Sequence, residues 1–398
     1  MSSSAWWRRL SDWFLSGNTV VVTFLAFFSA LVIGAVIVIF ATPGAAAGIG
    51  PAWASVANAY GSLFDGAIGS PRVMAAAIAG GAPQDVANAF QPISETLVAA
   101  TPLMLAGLGI ALAFRAGLFN IGGQGQLILG AIGATLGGFL LPGLPAVIHV
   151  PLAILCGAAL GAAWGFVPGV IKARTGAHEV ITSMMLNYVG LNLLTWLLTT
   201  GLFQAPPRVE AISKTIVQGA RLPHLAGPSL RVNLGFILAV LLVMGVAWLL
   251  QRSTLGFRFR MLGLNREAAR VAGVNIEGLY VVSMTLAGLL VGLAGAFMAL
   301  GVDYRIAALY GGSIGFDGIT VAILGRGTPP GVALSSLLFG AFAAGGRTMQ
   351  VNTGIPLQLV QVLQAILVLF VAAPGVIRTI YRIRVARGGR RVFGGWAG

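Results

Sequence analysis

Charge is scarce in this chain of 398 residues: ten Asp and Glu and 24 Lys and Arg make up 9% of it. A soluble domain carries roughly 25%, so no ordinary water-facing surface can be assembled from this inventory. Cysteine is nearly absent. The lone Cys156 lies inside an apolar run, which excludes a disulfide framework and a cysteine-based metal site. The histidines are His149, His178 and His224, and the lysines Lys172 and Lys214. Neither lysine sits in a Gly-x-x-x-x-Gly-Lys-Ser/Thr run, so the chain carries no P-loop and binds no nucleotide of its own by that motif. His178-Glu179 opens like a zinc-protease helix, but Thr182 stands where the second histidine should be.

What is abundant is apolar. Hydrophobic residues make up 57% of the chain, and mean hydropathy is +0.92. Disorder is excluded, because so apolar a chain does not stay unfolded in water. Uncharged runs near the ~20 residues that cross a bilayer define an all-α, polytopic transmembrane bundle. A net charge of +14 would suggest nucleic acid in a soluble protein. In a membrane protein it reflects Lys and Arg gathered in inner loops, and no nucleic-acid partner is expected. The apolar run over 19–41 exceeds the 7–15 residues or so of a signal-peptide core and reads as a retained first helix.

About ten spans are expected: 19–41, 93–114, 117–141, 146–170, 181–203, 233–251, 278–301, 312–326, 330–346 and 357–373. The eighth is short enough to be re-entrant rather than crossing. With the N-terminus inside, seventeen of the 24 Lys and Arg fall on the inner side, which supports N-in and C-in. Residues 1–18 place Trp6, Leu10, Trp13 and Phe14 on one helical face, expected to lie along the inner interface. The membrane body then occupies 19–373, with a long outer loop over 42–92 that carries an amphipathic stripe, Trp53, Val56, Ala57, Tyr60 and Phe64. A second outer excursion covers 204–232. The basic tail, 374–398, suits anionic lipid. Gly157, Gly161, Gly165 and Gly169 form a smooth stripe matched by Gly288, Gly292 and Gly295; packing within the chain explains both better than a dimer face.

The inner loop 252–277 looks built to be touched. Asn265 is a good N-cap, Glu267 suits a helix start, Ala268, Ala269 and Ala272 are helix formers, and Gly273 is a stop. A helix of one to two turns follows, with small side chains exposed between Arg266 and Arg270. Within the spans, Asn120, Gln124 and Gln126 sit among glycines that permit a broken helix. Asn187, Tyr188, Asn192 and Asp317 are further, weaker polar candidates for lining a path, and an interhelical hydrogen bond accounts for any one of them equally well. Glu179 is a boundary charge suited to pairing with Lys172 or Arg174. Gly311-Gly312-Ser313-Ile314-Gly315 fits the serine-nucleophile pattern G-x-S-x-G, a weak match in a chain that is one-seventh glycine.

The run Gly263-Leu264-Asn265-Arg266-Glu267-Ala268-Ala269-Arg270-Val271-Ala272-Gly273-Val274 resembles the coupling-loop signature of ABC-importer permeases of the branched-chain amino acid and simple-sugar class. TPLMLAGLGIALAFRAGLFNIGGQGQLILGA (101–131), AHEVITSMMLNYV (177–189) and GFDGITVAILGRGTPPGVALSSLLFGA (315–341) are similar to its nucleoside and simple-sugar subgroup. The resemblance covers roughly 93–203 and 252–373; residues 72–92 depart from it and read as an insertion.

It implies a transport subunit rather than an enzyme, in the cytoplasmic membrane. Its partners would be a cytoplasmic ATPase with two nucleotide-binding modules holding ATP and Mg, a second related permease, and an extracytoplasmic binding protein or lipoprotein. Coupling would fall to Asn265, Arg266, Glu267, Ala268, Ala269, Arg270 and Gly273, and the translocation path to Asn120, Gln124, Gln126, Asn187 and Asp317. Branched-chain amino acids or ribose-like sugars are alternative cargoes. An ion-coupled secondary transporter is an alternative of another class, disfavoured because Glu95, Glu179, Asp303 and Asp317 fall near span ends. Leu105-Ala106-Gly107-Leu108 echoes Leu286-Ala287-Gly288-Leu289 and Ile128-Leu129-Gly130 echoes Ile323-Leu324-Gly325, a repeat that would be inverted.

Overall fold

The computed structural model describes residues 19–42, 48–205 and 210–381. The interfacial helix expected over 1–18 and the tail beyond residue 381 lie outside them. The described residues fall into two compact units. One is Ala67–Ala341, and the other joins the chain up to Gly66 with that from Phe342 onward.

The smaller unit contains α1 (Thr19–Ala41), most of α2 (Ile49–Ala67), and, further along the chain, α14 (Leu357–Ala372) and α15 (Pro374–Ile380). Val21, Leu25 and Ala26 of α1 pack on Phe370 and Ile377. The Ser29 and Tyr381 hydroxyls lie 2.9 Å apart, and Tyr60 of α2 donates to the Leu31 carbonyl at 2.5 Å. The expected stripe on α2 divides: Trp53 and Phe64 are 74% and 50% exposed, whereas Tyr60 turns towards α1 through its bond to Leu31. Ala59 and Leu63 are buried.

The larger unit contains α3 (Pro71–Gly80), α4 (Pro83–Arg115), α5 (Gly123–Leu140), α6 (Ala146–Thr175), α7 (Glu179–Leu197), α8 (Leu234–Arg252), α9 (Thr254–Leu264), α10 (Arg266–Val271), α11 (Ile276–Met298) and α12 (Ile314–Leu324). Helix α13 (Pro329–Thr353) is divided between the units at Ala341. Elements outside helices are irregular, with isolated antiparallel bridges such as His224 with Asn233. Helix α4 starts ten residues before the apolar run that marks it, because Pro83 occupies its first turn and Asp85 suits the positive helix start.

A helix stands at each of the ten expected spans. Seven of them (α1, α4, α6, α7, α8, α11 with the π-helical turn Ala299–Asp303, and α13) are long and apolar enough to cross a membrane. Helix α12 has 11 residues, about 16 Å at 1.5 Å per residue, too short to span about 30 Å of hydrocarbon. Its shortness follows from Gly311 and Gly312, both with positive φ, at one end, and Gly325 at the other.

Helix α11 is central in this unit, packed on α4, α5 and α6. Gly161 and Gly165 of α6 face Gly292 and Gly288 of α11, while Gly295 packs on the Leu127 backbone of α5. A methyl added at Gly161 would lie 2.5 Å from the Gly292 Cα, and one at Gly165 would lie 2.9 Å from the Gly288 Cα. Four residues up α6 correspond to four down α11, so the helices are antiparallel and nearly backbone to backbone. Packing within the chain is thus the role of the stripes.

Candidate coupling helix and polar helix break

Helix α10 forms where its caps require. The Asn265 side chain accepts from the Ala268 amide at 3.0 Å. At the other end Gly273 takes φ 76°, and the Gly273 and Val274 amides donate to the Arg270 and Ala269 carbonyls at 3.0 and 3.1 Å, completing a Schellman stop. Glu267 pairs with Arg270 at 2.8 Å; both are exposed, so the pair contributes only about 0–1 kcal/mol.

One expectation is corrected. Ala269 does not stand on the outer face with the other alanines; it is 0% exposed. The free surface instead carries Leu264 and Val271, 84% and 90% exposed, together with Ala268, Arg266 and Ala272. The sequence also hid α9, capped by Ser253, whose side chain accepts from the Gly256 amide at 3.0 Å.

The polar residues expected along a path gather at the break between α4 and α5. Asn120 and Gln126 form a reciprocal amide pair (2.9 and 3.3 Å), and the Asn120 Oδ1 also accepts from the Gly122 amide at 3.0 Å. Asn187 reaches in from α7, where its Oδ1 accepts from the Gly125 amide at 2.8 Å and its Nδ2 donates to the Ile121 carbonyl at 2.9 Å. Gln124 ties the break to the start of α12, accepting from the Gly315 amide at 3.0 Å and donating to the Tyr310 carbonyl at 3.2 Å. All four side chains are buried. Their amides satisfy irregular backbone, which is what allows a helix to be interrupted inside an apolar protein.

Asp317 stands apart from that network. It is half-buried and accepts a 2.8 Å hydrogen bond from Ser313. Tyr188 and Asn192 are exposed, and Asn192 bonds back to its own helix at the Tyr188 carbonyl. Glu179 pairs with Lys172 at 2.7 Å and accepts from the Phe119 amide at 3.3 Å. The serine-nucleophile reading lacks its histidine, and the Ser313 hydroxyl donates to Asp317 instead. His149 is fully buried against the Gly137 carbonyl, His224 bonds Tyr304, and His178 precedes α7 as its N-cap residue.

Asn187→Leu is expected to lower stability by about 2 kcal/mol or more, because it strands two buried backbone groups at roughly 1–3 kcal/mol each. Asn192→Leu, which frees only a bond within α7, should leave stability unchanged. Melting of the two variants in detergent checks the contrast; equal melting temperatures would show that Asn187 does not hold the break.

The long apolar helices define a multi-pass helical membrane protein. The family described as "Branched-chain amino acid transport system / permease component" matches residues 93–372, and the chain belongs to it. It is 36% identical to the guanosine ABC transporter permease protein NupP of Bacillus subtilis, over 82% of this chain and 88% of that one. It is 31% identical to the nucleoside ABC transporter permease protein NupB of Lactococcus lactis, over 91% and 93%. It is 35% identical to the glucose ABC transporter permease protein TsgB13 of Haloferax volcanii, over 74% and 79%. The same two bacteria each hold a second, more distant match that is also named a permease. No solved structure matches significantly.

Proposed function

We propose that this chain is the membrane-spanning permease subunit of an ATP-binding-cassette importer that moves nucleosides, or related simple sugars, across the cytoplasmic membrane. The observation that carries the reading is the match to nucleoside permeases along nearly their whole length. The capped helix α10 supports it, because it is short, ends on the uncovered Val271 and follows directly on the uncovered Leu264. An ATPase with two nucleotide-binding modules, holding ATP and Mg, would dock there. A second, related permease would complete the membrane part, in keeping with the paired matches in two bacteria. An extracytoplasmic binding protein or lipoprotein would deliver the substrate.

In this reading α5 and α14 also cross, α12 crosses only together with the irregular chain that flanks it, both chain ends lie inside, and the basic tail meets anionic lipid. An inverted repeat would relate α4–α5 to α11–α12. Each is a long helix followed by an irregular segment and a shorter helix, and the packing is crossed, α4 on α12 and α11 on α5. The break at Asn120, Gln124, Gln126 and Asn187 borders the translocation path, with Ser313 and Asp317 beside it.

Branched-chain amino acids or ribose-like sugars are a second reading within the class, since the family description names the former. Ion coupling is disfavoured by the acids' partners: Glu95 pairs with Arg231, Glu179 with Lys172, and Asp303 accepts from Tyr310.

The test is reconstitution. Vesicles holding this chain alone should show no ATP-dependent nucleoside uptake, and uptake should appear when the ATPase and second permease are added. Concentrative uptake by the isolated chain, driven by a proton or sodium gradient, would overturn the proposal in favour of a secondary transporter.

A further inference from the structure

The residues between α4 and α5 touch more than the neighbouring spans. Gly117, at the start of the break, adopts φ 73°, and a methyl added to it would lie 3.1 Å from the Cα of Gly263, at the end of α9. A methyl added to Gly263 would run into the Arg115 carbonyl and lie 3.1 Å from the Gly117 amide nitrogen. The turn that leads into α10 therefore rests, backbone on backbone, against the break.

Three further bonds hold that stretch of chain. Arg115 Nε donates to the Gly327 carbonyl at 2.8 Å, beyond the end of α12. The Phe119 amide donates to Glu179, which is held in turn by Lys172 at the end of α6. The ammonium of Lys172 and the guanidinium of Arg266, the first residue of α10, both lie 5.8 Å from the centroid of the Tyr280 ring, within cation–π range. The far end of the same break is bonded to α7 through Asn187 and to α12 through Gln124.

We propose that the Gly117–Gly263 contact, braced by the Lys172–Glu179 pair on the Phe119 amide, is the joint through which displacement of α10 moves the α4–α5 break. This rests on the reading of α10 as the docking helix. A contact between two glycine backbones has no side chain to rotate or compress. Displacement of the α9–α10 turn therefore either carries Gly117 with it or opens a gap. The break lies next to that contact along the chain, and side-chain amides rather than a continuous helical ladder hold its backbone. A push at Gly117 reaches Asn120 and Gln126, three and nine residues further along the chain, and from there α7 and α12. An ATPase that holds α10 differently in its two states thereby biases the break between two positions, which is what coupling requires.

The experiment uses the complete importer in vesicles and reads ATPase co-purification, ATP hydrolysis, its stimulation by nucleoside, and uptake. Gly263→Ala inserts a methyl into the joint. Gly245→Ala, in α8 where an added Cβ meets nothing within 4 Å, is the control. Gly263→Ala should retain the ATPase and its basal hydrolysis but lose stimulation, with uptake reduced about fivefold or more, the lower end of typical couplings. Parental stimulation and uptake in the assembled variant would overturn the joint.

If Gly263→Ala fails to assemble, Glu179→Gln decides by the same readouts, since it keeps the volume and loses only the charge that Lys172 holds. Val271→Glu separates this proposal from the docking reading. Loss of the ATPase in Val271→Glu with full coupling in Gly263→Ala removes the joint alone. Parental assembly and coupling in Val271→Glu removes the docking reading itself.

Discussion

Gly161→Leu is expected to abolish accumulation of folded protein in the membrane. Gly161 lies at the centre of the α6–α11 seam, and the first carbon of any side chain there would meet the Gly292 Cα at 2.5 Å and the Gly288 carbonyl at 2.6 Å. Overpacking a core usually costs about 1–3 kcal/mol, because neighbouring side chains shift or change rotamer. Both neighbours here are backbone, which cannot turn aside. The helices must separate, and the contacts of Gly157 and Gly165 on the same stripe are lost with them.

In lipid no hydrophobic force compensates for that separation, since the chains and the bilayer are equally apolar. The expected cost is therefore about 3 kcal/mol or more out of a total near 5–15. Gly245→Leu, on an open face of α8, should accumulate like the parent. Membrane yield and monodispersity in detergent measure both, and a Gly161→Leu protein with parental yield and melting temperature would show that the seam does not hold the fold.

Two glutamates placed two residues apart on α10 should fail in different ways. Ala269→Glu puts a carboxylate where the side chain is 0% exposed, and an unpaired buried charge costs several kcal/mol. The expected outcome is loss of the local fold of α9 and α10, seen as new proteolytic cleavage between α8 and α11. Val271→Glu places the same charge on a side chain that is 90% exposed, so yield, melting and proteolysis should match the parent. What it should lose is the ATPase, because an exposed valine becomes a charge in the proposed contact. Co-purification from membranes containing all subunits reads this directly. An ATPase retained at parental stoichiometry by Val271→Glu would show that the outer face of α10 is not the docking face.

The contrast between these two positions marks how far local pattern reaches. That 265–273 forms a capped helix was legible, because Asn265, Glu267 and Gly273 act through bonds to residues three or four away. Which alanine turns inward was not. In a six-residue helix of mostly small side chains, amphipathic contrast is too weak to choose a face. The helix α9 was missed for a related reason: its arginines, Arg258 and Arg260, flank the buried Phe259, and polar and apolar residues alternate too closely for the run to read as helix. The amides of the break were visible as polar residues among glycines, yet their partners were backbone groups that leave no mark in a sequence.

The bilayer makes spans readable from sequence alone, because any crossing helix needs a long uncharged run. Composition and periodicity by themselves therefore determined the class of this protein, the position of the seven helices long and apolar enough to cross a membrane, the caps of α10 and the existence of two glycine stripes. Tertiary structure alone decided that Gly161 and Gly165 of α6 face Gly292 and Gly288 of α11, that Asn187 and Gln124 staple the break to α7 and α12, that Ala269 is interior, and that Gly263 rests on Gly117. Each of these depends on what lies across an interface, for the stripes, the break and Gly263 from residues tens to hundreds of positions away, and helix spacing records which face is smooth or polar but not what meets it.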